Sequence, residues 1–414
     1  MPKLIGWRLK PASCWLAISF VGAIIACSYL LSAYWSHHLL SLHGQQIGAI
    51  KDSTETLQCS KYLDRKIIIL QWTTYFWKNE SEYGFGGAPF DRCDHNRSVV
   101  CLMTMDRSLV NESDAIIFHI RDLNPNDLPP AGWRRPHQHY IFFFYESPMH
   151  TDMAKLRLPV FQHFFNRTMT YRRDSDILDL HPYGRVKCIN TSSRPCLNYP
   201  RLDDSPVVED IFESAKNPFR IDLSSKNRTV AWFATNCNTD SRRESLVHNL
   251  SLFIAVDIYG SCGNGSHRCA NRADCDLMLN RYYRFYLSFE NSLCTDYVTE
   301  KLYRPMDHDT VPVVYGEADY SSYLPAGSYV DARGFDSPQS LANHLNRLMN
   351  DDELYLSYFA WRRKYVVDRT PGNGICQLCR LLSDENTKEK SYPDIATWWY
   401  SVNQTCRSPP ASLV

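Results

Sequence analysis

Residues Phe285–Gly316 read FYLSFENSLCTDYVTEKLYRPMDHDTVPVVYG, and the fold turns on them. Phe285–Phe289 is an apolar, aromatic run, and VPVVY (Val311–Tyr315) is a β-branched run closed by Gly316. Both patterns predict strands. Between them, YVTEKLY (Tyr297–Tyr303) predicts a helix with Asp296 as its N-cap. Strand, polar turn, helix and strand follow one another within about thirty residues, which makes a βαβ unit. The first strand delivers Glu290 and Asn291 to the turn, and Lys301 lies near the helix start. Free N–H groups, the positive end of a helix dipole and a lysine together suit an anionic ligand. An ordinary βαβ unit with a solvated lysine has the same periodicity, so the rest of the chain must decide.

Upstream, KIIILQW (Lys66–Trp72), AIIFHI (Ala115–Ile120) and YIFFFY (Tyr140–Tyr145) are near-continuous apolar runs with turn residues between them. Such runs predict strands buried on both faces of a parallel sheet. Pro195 to Pro218 is rich in proline and charge and predicts a domain boundary. A second set of strands is expected at Val230–Ala234, Phe253–Tyr259, Phe285–Phe289, Val311–Tyr315 and Tyr329–Asp331. Ser337–Met349 predicts a helix with Ser337 as N-cap and Pro338 in the first turn. Asp351–Val367, rich in aromatics, predicts another. Two successive α/β sets imply two Rossmann-like domains, with ligands outside the carboxyl ends of the strands.

The chain has 414 residues and no net formal charge, so it lacks the basic excess of a nucleic-acid binder. No Lys, Arg, Asp or Glu occurs from Pro11 to Ile50. Cys14–Trp35 is long enough to cross a bilayer as one helix. Lys3, Arg8 and Lys10 precede it, and Lys51 is the first charge after it. The positive-inside rule then leaves the N-terminus cytosolic and the remainder across the membrane. A cleaved signal peptide is the alternative, but no small-x-small cleavage site stands out. The expected order is a cytosolic tail (1–13), a transmembrane signal-anchor (14–35) and a stem (36–62), followed by domains at 63–218 and 219–370 and a C-terminal segment at 371–414.

Nine N-x-[ST] sequons follow the apolar span, at Asn79, Asn96, Asn111, Asn166, Asn190, Asn227, Asn249, Asn264 and Asn403. Fifteen cysteines occur, and Cys14 and Cys27 lie within the span, which leaves thirteen beyond it. That density fits an oxidising compartment. The odd number leaves at least one cysteine free or paired with another chain, a route to an oligomer. Cys376 and Cys379 form a CxxC without a second CxxC to complete a zinc site, so disulfides are expected there. Cys262, Cys269 and Cys275 cluster in a Gly/Asn-rich loop, with Cys237 and Cys294 as further partners; the sequence leaves their pairing open.

FYLSFENS…DYVTEKLY…VPVV resembles the signature of the α1,3-fucosyltransferases that use GDP-fucose, glycosyltransferase family ten. NRTMTYRRDSDI (Asn166–Ile177) followed by PYG (Pro182–Gly184), YESP (Tyr145–Pro148), VAWFATN…SRR (Val230–Arg243) and DIYGSCG (Asp257–Gly263) resemble further blocks of that family. The last two look closer to invertebrate and plant-like members, some of which modify the N-glycan core. The resemblance spans about Lys66 to about Arg380. It implies a GT-B architecture, two Rossmann-like domains facing a cleft, behind a single transmembrane helix. It also implies a Golgi membrane location, single-pass type II, with the catalytic part lumenal. Cys93 and Cys101 would pair with Cys376 and Cys379.

The implied reaction is inverting transfer of fucose from GDP-β-L-fucose to an N-acetylglucosamine of a glycoprotein glycan. Such a transfer needs one general base for the acceptor hydroxyl. Glu146, directly after the YIFFFY strand, matches the family's proposed base. The donor's diphosphate needs cations. Arg243 matches the family position and can grip a phosphate with two parallel hydrogen bonds, and Lys301 adds a point charge. Arg242 stands where the family usually has a small residue. Asn291, Tyr297 and Glu300 match positions that line GDP-fucose. Asp174-Ser175-Asp176, Asp274-Cys275-Asp276 and Asp307-His308-Asp309 each form a DxD triplet, which makes the triplet uninformative. The family needs no DxD-bound metal, so no metal site and no required cofactor is expected, a divalent cation being at most a stimulant. Arg172 and Arg173 are expected to orient acidic side chains. A protein-hydroxyl acceptor, or an inactive sugar-binding glycoprotein on the same fold, are the competing readings.

Overall fold

The computed structural model describes residues 65–91, 93, 99–180, 183–189, 219–265, 267–369, 373–401 and 405–414. The span 14–35, the stem, the connection 195–218 and the sequons at Asn96, Asn190 and Asn403 lie outside them. Among the described residues no helix is long and apolar enough to cross a membrane.

Two all-parallel sheets organise the chain. The first holds β1 (Arg65–Gln71), β2 (Val99–Thr104), β3 (Ala115–His119), β4 (His139–Phe144), β5 (Arg167–Thr170) and β6 (Ile177–Leu178), in the order β2-β1-β3-β4-β5-β6. The second holds β8 (Arg228–Phe233), β9 (Val256–Tyr259), β10 (Tyr283–Phe289), β11 (Val311–Tyr315) and β12 (Val330–Asp331), in the order β12-β11-β10-β8-β9. The continuous apolar runs explain why both sheets are parallel and covered. Every residue of β3, β10 and β11 is buried, as strands with layers on both faces must be. The helix Pro338–Asn350 starts as its sequence demands, with a Ser337–Ser340 capping box and proline in its first turn. The α/β, two-sheet architecture agrees with the expectation.

Two elements differ from it. The expected helix at Asp351–Val367 ends at Ser357; a 3-10 turn (Ala360–Arg363) and a strand, β13 (Tyr365–Asp368), follow. β13 pairs antiparallel with β7 (Arg185–Cys188). The β-branched Val366 and Val367 suit the extended chain, and the partner strand supplies the ladder bonds that a helix would otherwise offer. Asp296 is not a helix cap. Its backbone is left-handed (φ 62°), and its carboxylate accepts from the Arg173 N–H at 3.1 Å and the Tyr323 hydroxyl at 3.1 Å. The helix begins at Glu300, capped by Thr299, and runs only to Met306.

The C-terminal segment crosses back to the first sheet. Helix Asn373–Ser383 is joined to it by Cys93–Cys376 and Cys101–Cys379, the pairing that the resemblance implies. Helix Ile395–Trp399 buries Trp399 against Phe142, Phe144 and Tyr171, and the Trp399 indole N–H donates to Thr151 Oγ1 at 2.9 Å. Further on, Cys294–Cys406 and an Arg407–Glu317 ion pair at 2.8 Å tie the end of the chain to the loops after β10 and β11. The cysteines left open in the sequence pair as Cys237–Cys262 and Cys269–Cys275. Cys406 was not among the partners foreseen for Cys294.

Asn79, Asn111, Asn227 and Asn264 are exposed, and Asn249 is half-buried on a helix. Asn166 is committed elsewhere. Its amide accepts from the Tyr140 N–H at 2.7 Å and donates to the Gln138 carbonyl at 3.1 Å, so a glycan on that nitrogen would break the contacts at the start of β4 and β5.

Candidate active site

In the second sheet β8 lies between β9 and β10, so the winding direction reverses there. Crevices at such switch points, outside the carboxyl ends of the strands, are where these sheets bind ligands. A cavity of about 1080 Å³ lies at this place, lined by Phe233 to Asn236 after β8, Tyr259 to Ser261 after β9 and Asn291 after β10, and by Arg243, Glu300, Lys301 and Arg304. Cys237–Cys262 clamps the β8 and β9 loops together. Gly260 allows their close approach: φ is +87°, and a Cβ there would stand 2.5 Å from the Ala234 carbonyl oxygen.

Arg243 opens the helix Arg243–Leu250 and is only 4 % exposed. Its guanidinium donates to the Phe289 carbonyl at 2.7 Å and to the Asn236 carbonyl at 3.1 Å. These bonds aim it along the cavity wall, and its buried Nε faces Glu244 Oε1 at 3.6 Å without a hydrogen-bond partner. The Asn291 Oδ1 is likewise buried without one. Buried polar atoms are normally paired, and a polar ligand in the cavity would supply the partner of Asn291 Oδ1. Arg242, left-handed at φ 49° and exposed, lies off the cavity.

Lys301 is already engaged. Its ammonium lies 3.2 Å from Glu290 Oε2, 3.2 Å from Glu300 Oε1 and 2.8 Å from Thr299 Oγ1. Burial alone would lower its pKa, but Glu290 and Glu300 outweigh burial and hold it at about 12. Burial pushes the Glu290 carboxyl above its ordinary range, with Lys301 pulling against it. Burial likewise raises Glu300, but Lys301 more than offsets that and leaves it low. With both carboxylates ionised this trio is net negative, so Lys301 is not the surplus charge that the sequence suggests. The surplus lies on Arg268 and Arg272, which the sequence gives no reason to single out; Arg304 also lines the cavity but is paired with Asp276 at 2.6 Å. Arg268 and Arg272 sit in or beside the Gly/Asn-rich loop. Phe233, Tyr259 and Tyr286 form an aromatic wall with ring centroids 4.8 and 5.3 Å apart.

Glu146 does not line this cavity but stands next to it. It follows β4 and is partly exposed. The next residue, Ser147, donates to Ser292 across the two sheets at 2.8 Å, and Ser292 directly follows Asn291. Tyr297 is buried, and its hydroxyl donates to Glu146 Oε2 at 3.4 Å. Tyr297 is not among the residues that line the cavity; its hydroxyl stands between the cavity and Glu146. Of the other expected residues, Arg243, Asn291, Glu300 and Lys301 share the cavity. Arg173 lies 3.7 Å from Asp296, and Arg172 lies 2.6 Å from Asp174.

The DxD aspartates are engaged by protein groups. Asp176 accepts from Lys390 and Tyr392, Asp276 from Arg304, Asp307 from Arg369 and Asp309 from Arg362. Among the described residues no group of three or more His, Cys, Asp or Glu could hold a metal ion.

Lys301→Ala strands the carboxylate of Glu290, which is 1 % exposed, and is expected to cost about 2–3 kcal/mol at neutral pH, somewhat under the usual figure for a buried pair because Lys301 is partly exposed. Without the lysine, the Glu290 pKa in the fold rises further above its ordinary 4.5. The cost is then full above that raised value and shrinks as the pH falls towards 4.5 and the carboxyl takes up its proton. Urea unfolding at about pH 8 and about pH 5 measures this; a deficit as large at the lower pH would contradict the ion-pair account.

Comparison with known proteins follows the same division. Residues 223–398 match the family model described as glycosyltransferase family 10 (fucosyltransferase) C-term, and residues 64–184 match that for fucosyltransferase, N-terminal. The chain is 37% identical over 367 residues to alpha-(1,3)-fucosyltransferase C of Drosophila melanogaster, covering 84% of this chain and 81% of that protein. It is 32% identical over 311 residues to 4-galactosyl-N-acetylglucosaminide 3-alpha-L-fucosyltransferase 9 of Mus musculus, covering 73% and 75%. A crystal structure of an alpha1,3-fucosyltransferase with GDP-fucose aligns over 83% of this chain and 96% of that one, with a TM-score of 0.46 at 13% identity. The chain belongs to glycosyltransferase family 10, the fucosyltransferases.

Proposed function

We propose that the protein is an α1,3-fucosyltransferase that moves L-fucose from GDP-β-L-fucose to the 3-hydroxyl of an N-acetylglucosamine in a glycoprotein glycan, with inversion. The observation that carries this reading is the juxtaposition of an arginine-lined cavity with Glu146, bridged by the Ser147–Ser292 hydrogen bond. GDP-fucose occupies the cavity, with its diphosphate against Arg243. Glu146 takes the proton of the acceptor hydroxyl as that oxygen attacks the anomeric carbon. The bond from that carbon to the β-phosphate oxygen breaks, and GDP leaves. Residues 63–218 then form the acceptor side and 219–370 the donor side, and a signal-anchor at 14–35 holds the enzyme in the Golgi membrane with its catalytic part lumenal.

A panel of glycan acceptors with GDP-fucose, read by mass spectrometry, tests the reading. The panel includes the innermost N-acetylglucosamine of N-glycans, favoured by the resemblance to invertebrate and plant-like members. It also includes the galactose-capped sugar for which the mouse relative is named. The expected product carries one fucose on N-acetylglucosamine. Fucose appearing only on protein hydroxyls would overturn the acceptor assignment, and no transfer at all would overturn the reaction.

Arg243→Ala is expected to weaken GDP binding by about ten- to a hundredfold, the loss of one charge-assisted contact. Arg243→Lys should recover little if the grip is bidentate. Calorimetric titration with GDP measures both. A neutral Arg243→Ala beside a damaging Arg242→Ala would move the phosphate contact to the exposed neighbour.

A further inference from the structure

The first sheet repeats the topology of the second. Its order, β2-β1-β3-β4-β5-β6, reverses between β1 and β3, so the carboxyl ends of these strands frame a second crevice. The chain leaving β1 makes a two-residue hairpin there. The Tyr75 N–H donates to the Lys78 carbonyl at 3.0 Å, and the Lys78 N–H to the Tyr75 carbonyl at 3.1 Å. The two central residues are Phe76 (φ 48°) and Trp77 (φ 63°). Positive φ at both positions is the pattern of a type I′ turn, which favours Asn-Gly. Two bulky aromatics in that conformation are strained, and strain of this kind gathers where function demands it.

Folding gains little from Trp77 in return, because its side chain is 72 % exposed. The turn is nevertheless held in place. The Asp122 carboxylate accepts from the Trp77 N–H at 3.3 Å and pairs with His119 Nδ1 at 3.0 Å. The His119 ring lies 4.7 Å from Tyr75 and 4.8 Å from Phe76. Both Tyr75 and His119 pack against Phe143 of β4, three residues before Glu146, with ring centroids 6.3 and 5.9 Å apart. A hollow of about 480 Å³ adjoins the hairpin, lined by Trp72, Thr74, Asn79, Phe85, Met105 and Arg107.

We propose that Trp77 is the stacking platform for a pyranose ring of the acceptor saccharide. The inference rests on the reading of Glu146 as the base that faces that saccharide. An exposed indole fits the apolar C–H face of a neutral sugar, and the hollow beside it has room for a further sugar unit. The occupant is thus an oligosaccharide lying from the hairpin towards Glu146. The strained turn presents the indole to solvent instead of to the core.

Initial rates with GDP-fucose and an N-acetylglucosamine-bearing N-glycan test this, with acceptor-independent hydrolysis of GDP-fucose as the control. Trp77→Ala should raise the acceptor KM about tenfold or more and leave the donor KM and the hydrolysis unchanged. Trp77→Phe should recover part of the loss. The double variant Phe76→Asn/Trp77→Gly places the favoured residues in the turn. It should melt no lower than the wild type and yet show the same loss of acceptor affinity, a result that a merely structural tryptophan would not give. An unchanged acceptor KM in Trp77→Ala, as expected if the indole instead carries the chain's own glycan at Asn79, would overturn the proposal alone. A wild type that transfers fucose to no saccharide would overturn the functional reading as well.

Discussion

Glu146→Gln is expected to lower fucosyl transfer by about 10²–10⁴-fold at saturating donor and acceptor, the usual share of general base catalysis, with GDP affinity unchanged. Glutamine keeps the shape of the side chain and the contact with the Tyr297 hydroxyl, and it removes only the proton acceptor. Glu146 lies beside the donor cavity and contributes nothing to its lining, so donor binding should survive. Glu300 is the competing carboxylate. It lines the cavity and sits 3.2 Å from Lys301, so its replacement should damage donor binding and turnover together. Steady-state kinetics and GDP titration on both variants separate the two. Near-normal transfer by Glu146→Gln would remove that residue from the chemistry.

The second large effect concerns stability. Cys93–Cys376 and Cys101–Cys379 close loops separated by 283 and 278 residues. In the chain-entropy model a loop of this length is worth about 5 kcal/mol, but the two bridges are nearly redundant. With either one formed, the other closes only the short paths between Cys93 and Cys101 and between Cys376 and Cys379, worth about 2–3 kcal/mol. Cys379→Ser, with its partner Cys101→Ser, should therefore cost the smaller amount. Removing all four cysteines should cost about 7–8 kcal/mol. Denaturant unfolding without reductant measures the series. Equal losses from the single and double removals would show that the second bridge adds nothing.

The strands were legible because burial on both faces leaves a continuous apolar run, as in YIFFFY and FYLSF. The helix at Pro338 was legible because its cap is local: Ser337, Pro338 and Ser340 form it within one turn. The elements that were misread depend on distant partners. β13 exists because β7 lies beside it, and no feature of Tyr365–Asp368 alone announces that pairing. Asp296 has the composition of a cap, but Arg173 and Tyr323, brought from far along the chain, take its carboxylate.

The same division runs through the site. Residues in dense blocks, such as Arg243, Asn291, Glu300 and Lys301, could be named and do meet in one cavity. The charge on Lys301 was over-read, because Glu290 folds back onto it from the strand end. The contact of Tyr297 with Glu146 was not legible, because its hydroxyl direction is set only when the two sheets come together. The cationic wall at Arg268 and Arg272 lies in a loop shaped by Cys237–Cys262 and Cys269–Cys275, a pairing that spacing left open. Trp77 gave no signal in the sequence at all. Its left-handed backbone and its exposed indole mark it.

The most direct measurement is a crystal structure of the protein with GDP bound. The account predicts the nucleotide in the cavity at the β8–β10 switch point, its diphosphate within hydrogen-bond distance of Arg243 and its outer phosphate facing the side from which Glu146 approaches. GDP bound elsewhere, or bound there with its diphosphate away from Arg243, would contradict it.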